Sequence, residues 1–335
     1  MILKMDSCRP DLKKLKFAAD TIIRGGLVAF PTETVYGLGA NALNPAACKK
    51  IFSVKNRPFN DPLIIHIADK KELVKLVKNV PLKAEKLINK FWPGPLTLVF
   101  YKSSAVPDIV TAGLKTVAIR VPKNKIALSL LKLAKVPVAA PSANKFSRVS
   151  ATTAEDVAEE LGDKADVIID GGKTDIGVES TILDVTREPF TLLRPGGISV
   201  EKIEKVAGKI KVNKTSGVPV APGMFPRHYA PESKVIVINK SGNQLFEIKR
   251  AIEKYKNKKV KLGVVVTSDK NMKFPGCLTE RIIPDKNHKE FAYRLYDILR
   301  SMDKRNIDII IVQGIDNKGL GLAVMDRLAK ASSYK

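Results

Sequence analysis

Apolar residues along this chain follow two alternating rhythms. Short unbroken runs read as buried strands: Leu27–Phe30, LIIHIA (63–68), LTLVFY (96–101), TVAIRV (116–121), VPVAAPS (136–142) and DVIIDGG (166–172). Between them, apolar positions recur at helical spacing over about Asp11–Gly25, Pro45–Phe52, Lys70–Lys90 and Lys125–Lys135. TTAEDVAEELG (152–162) predicts a further helix, because a threonine three residues ahead of a carboxylate caps a helix start. TILDVT (181–186) and TLLRPG (191–196) read as a strand pair, followed by a short helix in VEKIEKV (200–206). The Leu27–Phe30 run breaks on Pro31 into Thr32, Glu33, Thr34 and Tyr36, and then into what reads as a glycine-spaced turn, Gly37-Leu38-Gly39.

From about Val212 to Ser233 the rhythm stops. NKTSGVPVAPGMFPRHYAPES has four prolines, two glycines and no period, and it reads as a linker. It carries Met224, Phe225, Arg227, His228 and Tyr229, aromatic and cationic side chains that a mere spacer does not need, so it either packs over a cleft or clamps two domains. A second β-α-β series follows: KVIVIN (234–239), a helix over Leu245–Lys256, KLGVVVTS (261–268), a helix over 288–305, IDIIIVQGI (307–315) and a helix over 321–332. Apolar strands with helices between them predict an open parallel sheet covered on both faces. The expected division is therefore an α/β domain over 1–211, a linker over 212–233 and a smaller α/β domain over 234–335.

Composition narrows the class. A 44% hydrophobic content in 335 residues can fill two cores, and no apolar run approaches the roughly 18 residues that span a membrane. The opening MILKMDSCRPDLKK lacks the apolar stretch and cleavage site of a signal peptide, so a cytoplasmic protein is expected. Cys8, Cys48 and Cys277 are scattered and odd in number, which argues against a disulfide framework and against a CxxC metal site. The charge changes the picture more: 58 Lys and Arg against 34 Asp and Glu give +24, with 15 basic against 5 acidic residues in 201–262. Such a field draws nucleotides, pyrophosphate or RNA, although surface lysines also serve solubility.

Candidate chemistry collects where strands end. The hydroxyls of Thr32 and Thr34 end one strand, and Ala140-Pro141-Ser142-Ala143-Asn144 ends another, as two walls of one polar pocket would. Lys55 and Arg57, followed by Asn60 and Asp61, can clamp a phosphate or can simply be a solvated face. His66 lies inside a strand, where a core histidine is the default. Arg120 inside TVAIRV demands an anion, either an internal carboxylate or a bound one. Glu179-Ser180-Thr181 and Arg194-Pro195-Gly196-Gly197 add hydroxyls and a guanidinium at chain reversals. There is no Walker loop, no GxSxG elbow and no metal-ligand spacing, so catalysis would rest on positioning and electrostatics.

Taken in series, AFPTETVYGLGANA, KNRPFNDPLIIHI, FWPGPLTLVF, TVAIRVP, APSANKFSRVSATT, ESTILDV and LLRPGG resemble the YrdC-like domain of the threonylcarbamoyl-AMP synthase family. APGMFPRHYAP and GLGLAVMDRLAKAS resemble that family's long form, so the resemblance covers the whole chain. It implies a twisted α/β sheet domain with a concave pocket, a linker or lid around Met224–Tyr229, and a C-terminal Rossmann-like domain. It implies a nucleotidyltransferase that makes threonylcarbamoyl-AMP and pyrophosphate from L-threonine, bicarbonate or CO2, and ATP with Mg2+. The product would pass to a separate transferase complex that modifies tRNA next to the anticodon.

By the same resemblance Thr34, His66, Arg120, Ala140 and Ser180 belong to the threonine pocket, with Arg120 facing the amino acid carboxylate, and Tyr36 helps to form the pocket for threonine and an adenylate. Arg57, Asn60, Thr116, Ser142, Ser150, Arg194 and Tyr229 match nucleotide contacts, with Asp61 as an alternative to Asn60 and Thr152 or Thr153 to Ser150. Lys55, Arg57, Ser142 and Asn144 form the polar tetrad assigned to catalysis. A competing reading is a non-enzymatic reader of tRNA or double-stranded RNA, favoured by the charge. A third, a carbamoyltransferase maturation factor, lacks its cysteine clusters here.

Overall fold

The computed structural model describes residues 1–212, 222–223, 225, 228–255, 257–268 and 270–333. Met224 and Arg227, on which the expectation of a lid partly rests, lie outside the described residues. The chain divides into two compact units, one of Met1–Phe146 with Ser150–Phe225, the other of Ser147–Val149 with Pro226–Lys335. No helix among the described residues is long and apolar enough to cross a membrane.

The first unit is built on a mixed sheet, ordered Ile2–Lys4, Val167–Asp170, Val28–Phe30, Gly37–Asn41, Val138–Ala139, Ile64–His66, Thr116–Arg120, Leu96–Tyr101, Thr181–Asp184, Thr191–Arg194 and Lys211–Val212. Strand alternation sorts its side chains. Ala29, Leu38, Ile65, Ala139, Ile119, Leu98 and Leu183 point to one face, where they meet Ile51, Phe52, Leu87, Val157 and Ile203 from the helices Pro45–Lys55, Leu82–Phe91, Ala154–Leu161 and Val200–Ala207. On the other face Val28, Phe30, Val138, Val167 and Ile169 pack under the helices Leu12–Ile23 and Lys125–Ala134. Beyond those two helices this second face carries a small separate cluster, Ile64, Val99, Ala118 and Ile182. It is here that the strands turn polar side chains outward.

Several expectations hold in detail. The helix expected over Pro45–Phe52 forms as Pro45–Lys55, where the structure adds Asn44 as its cap, and Thr153 and Asp156 form the expected capping box at the start of Ala154–Leu161. Two need correction. Gly37-Leu38-Gly39 is not a turn: it opens the strand Gly37–Asn41, antiparallel to Val28–Phe30. Glycine is required at 39 because a Cβ there would stand 2.7 Å from the Phe30 ring and 2.8 Å from Val138. The helix expected over Lys70–Lys90 is broken into a short turn over Lys70–Glu72, Leu73–Leu76 and Leu82–Phe91, with Pro81 as the cap of the last.

The second unit is a four-stranded, all-parallel sheet ordered Lys234–Ile238, Ile309–Gln313, Leu262–Thr267 and Cys277–Ile282, with helices Gln244–Glu253, Lys289–Lys304 and Gly321–Ser332. Ile248, Val264, Val266, Ile309 and Ile311 form one core layer. Cys277–Ile282, an edge strand with a half-exposed pattern, is the element the apolar pattern does not announce.

Candidate active site

The residues with chemistry on the second face of the first sheet form a row across neighbouring strands. His66 lies opposite Arg120 in register, and Ala140 donates its N–H to the Ile64 carbonyl at 2.9 Å. On the far side of Arg120, Thr97 faces Ser180 with their hydroxyls 2.7 Å apart. Arg194 closes the row, its Nη2 donating to the Ser180 carbonyl at 2.9 Å and to the Ser180 hydroxyl at 3.2 Å. His66, Arg120, Thr97, Ser180 and Arg194 are all buried. The alternation that buries Ile65, Ile119 and Leu98 on the helical face is what turns these polar neighbours together.

The loop after Phe30 completes one wall. The Thr32 and Thr34 hydroxyls are 2.8 Å apart, and Thr32 Oγ1 also accepts the Thr34 and Val35 N–H groups, which fixes a tight turn. Arg120 Nη1 donates to Thr34 Oγ1 at 2.9 Å, and Arg120 Nε donates to the Gly94 carbonyl at 3.2 Å. The anion that Arg120 demands is internal: Glu33 Oε1 lies 2.7 Å from Nη2, both side chains buried. Tyr36, assigned to the pocket by resemblance, instead belongs to the helical-face core, and its hydroxyl donates to the Gly172 carbonyl at 2.7 Å. Burial raises that phenol's pKa far above its usual value, so it stays neutral.

The tetrad lies at the ends of the Pro45–Lys55 helix and the Val138–Ala139 strand. Lys55 is the last helical residue and is fully buried; its Nζ donates to the Ser142 carbonyl at 2.5 Å and to the Asn144 carbonyl. Burial, and then the charge of Arg57, push the Lys55 ammonium well below the usual lysine value. Arg57 follows Asn56, which takes the left-handed conformation that ends the helix. Its Nε donates to the Asp61 carbonyl at 3.0 Å, its Nη2 to the Pro62 carbonyl at 2.7 Å, and Nη2 pairs with Asp61 Oδ2 at 2.9 Å. Burial raises the Asp61 carboxyl, opposed by the charges of Arg57, Lys55 and Arg194 in that order. Gly37 and Ser142 form a bridge, which brings the Ser142 loop to the strand beside Thr34.

Other candidates are placed differently. Asn60 is exposed, while Asp61 beside it is buried on Arg57. Ser150 is buried and donates to Glu179 Oε1 at 2.6 Å, whereas Thr152 and Thr153 are engaged by Asp156 in the helix cap. Thr116 starts the strand that Arg120 ends, about 13 Å away at about 3.3 Å per residue. Tyr229 lies in the second unit, stacked on Tyr296 at 6.1 Å with the Arg327 guanidinium 4.7 Å from its ring centre. Glu33 and Glu179 stand within the motifs without a role that the sequence assigns, and no motif singles out Thr97. The signal at Thr97 is a polar residue on the inward phase of the apolar run LTLVFY, whereas Glu33 and Glu179 stand in loops with no such period.

His66 carries a testable electrostatic consequence. Burial, reinforced by Arg120, lowers its pKa from 6.5 to about 3, so the ring is neutral in the folded protein. The unfolded chain binds a proton near pH 6.5 that the folded protein refuses until about pH 3, so stability falls as pH drops between those values. By pH 4.5 this group alone costs roughly 3 kcal/mol at 1.36 kcal/mol per unit. Denaturant melts of His66→Asn at pH 7 and 4.5 should show an acid loss smaller by that amount; an undiminished loss would mean the ring is not held neutral.

Comparison with known proteins matches the chain in two parts that meet near residue 197, inside the first unit. A family model for Sua5, YciO and YrdC proteins, described as telomere recombination, matches residues 20–196. A model described as the C-terminal domain of threonylcarbamoyl-AMP synthase matches residues 198–333. The threonylcarbamoyl-AMP synthase of Pyrococcus abyssi is 48% identical over 328 residues, covering 96% of this chain and 95% of the relative. That of Bacillus subtilis is 43% identical over 320 residues, covering 94% and 92%. The crystal structure of P. abyssi Sua5 complexed with L-threonine superposes with a TM-score of 0.94 at 46% identity, over 100% of this chain and 98% of that one. A P. abyssi Sua5 variant with a histidine and a tyrosine replaced by alanine gives 0.92 at 45%, over 100% and 96%.

Proposed function

The chain belongs to the two-domain threonylcarbamoyl-AMP synthase family, and on that premise we propose how its own residues make threonylcarbamoyl-AMP. The protein is an L-threonylcarbamoyladenylate synthase, a nucleotidyltransferase that joins L-threonine, bicarbonate or CO2, and the adenylyl group of ATP, releasing pyrophosphate. ATP enters as its Mg2+ complex, the metal travelling with the substrate phosphates. The observation that carries this reading is the polar row from His66 through Arg120, Thr97 and Ser180 to Arg194. It supplies a guanidinium for a carboxylate, hydroxyls for a side-chain hydroxyl and a second guanidinium for an anion, in a setting without bulk water.

Threonine docks its carboxylate on Arg120, its hydroxyl among Thr34 and Ser180, and its methyl toward Ala140. Its ammonium sheds a proton, and the neutral amine adds to bicarbonate with loss of water, or to CO2 with loss of a second proton, giving a carbamate whose oxygen attacks the α-phosphate in line as pyrophosphate leaves. Lys55, Arg57 and Arg194, whose charges act on Asp61, stabilise the charge on the phosphates, while Ser142 and Asn144 orient the nucleotide. Asn60, Thr116, Ser150 and Tyr229 are assigned to the nucleotide by family pattern. Burial of the row protects carbamate and product from water. The product passes in the cytoplasm to a separate transferase acting on tRNA. A non-enzymatic RNA reader is not favoured, because the full-length relatives are synthases.

The direct test is pyrophosphate release from ATP and bicarbonate, with and without L-threonine. Release should depend on threonine. Valine should be rejected by about 10⁴-fold, as a site built around a substrate hydroxyl rejects analogues lacking it, and serine, one methyl short, by about 10-fold. Threonine-independent release, or equal turnover of valine, would overturn the assignment.

A further inference from the structure

Glu33 and Arg120 face each other at 2.7 Å, yet the approach is not a hydrogen bond. Glu33 Oε1 and Arg120 Nη2 are both buried, and neither has a hydrogen-bond partner in the protein. The outer atoms of the pair are well held. Glu33 Oε2 accepts the Lys123 N–H at 3.0 Å, and Arg120 donates from Nη1 to Thr34 and from Nε to Gly94. The backbone around Glu33 is pinned as well: its carbonyl accepts the Ile176 N–H at 2.9 Å, and the Thr34 carbonyl accepts the Gly177 N–H at 3.2 Å. The pair is thus fixed from outside, with an acceptor and a donor nitrogen left incomplete on the inside. Buried polar atoms in a native site are normally satisfied, and such a gap marks where a ligand belongs.

What the pair lacks is a donor for Glu33 Oε1 and an acceptor for Arg120 Nη2, atoms 2.7 Å apart whose charges already offset each other. An α-amino acid zwitterion carries both on adjacent carbons. The nearby alternatives are committed: His66 is held neutral, and Glu179 is engaged by Ser150. We infer that Glu33 recognises the α-ammonium of the amino acid, and so makes this site select zwitterions over plain hydroxy acids. The inference rests on the reading of this site as the threonine pocket. It assigns Glu33 more than the support of Arg120. A lone carboxylate meets an arginine whose charge is already compensated, with Glu33 Oε1 repelling it, whereas a zwitterion completes both halves.

The test compares L-threonine with 2,3-dihydroxybutyrate, in which a hydroxyl replaces the ammonium, by calorimetry on the full-length protein and on Glu33→Gln. The wild-type protein should bind threonine at least about 10-fold more tightly than the hydroxy acid, the worth of one charge-assisted contact. In Glu33→Gln, threonine should weaken by about 10–100-fold while the hydroxy acid holds or tightens, with ATP affinity unchanged as a check of folding. Equal weakening of both ligands would reduce Glu33 to a support for Arg120 and overturn the inference. Equal wild-type affinity for the two ligands would overturn it without any variant. Wild-type protein that binds neither ligand would overturn the reading of the site itself, and this inference with it.

Discussion

Arg120→Ala is expected to weaken L-threonine by about 10–150-fold while leaving ATP within about threefold, and Arg57→Ala to do the reverse, each losing a charge-assisted contact of about 1.5–3 kcal/mol. The split follows from where each guanidinium is anchored. Arg120 is held by Thr34, Gly94 and Glu33, all on the row assigned to the amino acid. Arg57 is held by the Asp61 and Pro62 carbonyls and the Asp61 carboxylate, beside Lys55. Both substitutions also strand a buried carboxylate, Glu33 in one case and Asp61 in the other. Breaking a buried pair from one side costs about 3–5 kcal/mol, so both variants should melt earlier. Titrations therefore belong at a temperature where each variant is folded. A uniform loss for both ligands in both variants would mean that these arginines hold the structure rather than the substrates.

What the sequence made legible was the part governed by local periodicity and capping. LIIHIA and TVAIRV announce buried strands, and the charged or polar residue inside each, His66 and Arg120, proves to stand in register on one face. Thr153 and Asp156 cap their helix as their spacing predicts. What stayed hidden depends on neighbours that are distant in the chain. Gly37-Leu38-Gly39 reads as a turn because glycine usually means one, but here glycine admits Phe30 and Val138. The Cys277–Ile282 strand is half-exposed at a sheet edge and so lacks an apolar run. Thr97 becomes part of the site only because Leu96–Tyr101 lies beside Thr181–Asp184. The internal or bound anion of Arg120 could not be chosen from sequence, since Glu33 reaches it across a loop of unpredictable course.

The largest loss of turnover is expected at Lys55. Its Nζ is spent on the Ser142 and Asn144 carbonyls, so it both shapes the loop that orients the nucleotide and sets a cation beside Arg57. An ammonium has three donors, and two go to these carbonyls, which leaves one for a phosphate oxygen. Lys55→Met should lower kcat by about 10²–10³-fold, the usual effect of removing one preorganised donor from a developing negative charge. Stability should fall, because the Ser142 and Asn144 carbonyls lose their buried donor, a loss offset only in part by the desolvation cost that methionine does not carry. The pH dependence separates this role from mere packing. Burial and Arg57 depress the Lys55 pKa in the free protein, and incoming phosphates favour the charged form and raise it again. Between those two values ATP binding takes up a proton, so ATP affinity should fall as pH rises through that interval. Calorimetry in buffers of different ionisation enthalpy measures the uptake directly. In Lys55→Met both the proton uptake and the slope should vanish. A variant with near wild-type turnover, or with the alkaline slope intact, would show that Lys55 only ties the loop and that the phosphates are met by Arg57 and Arg194 alone.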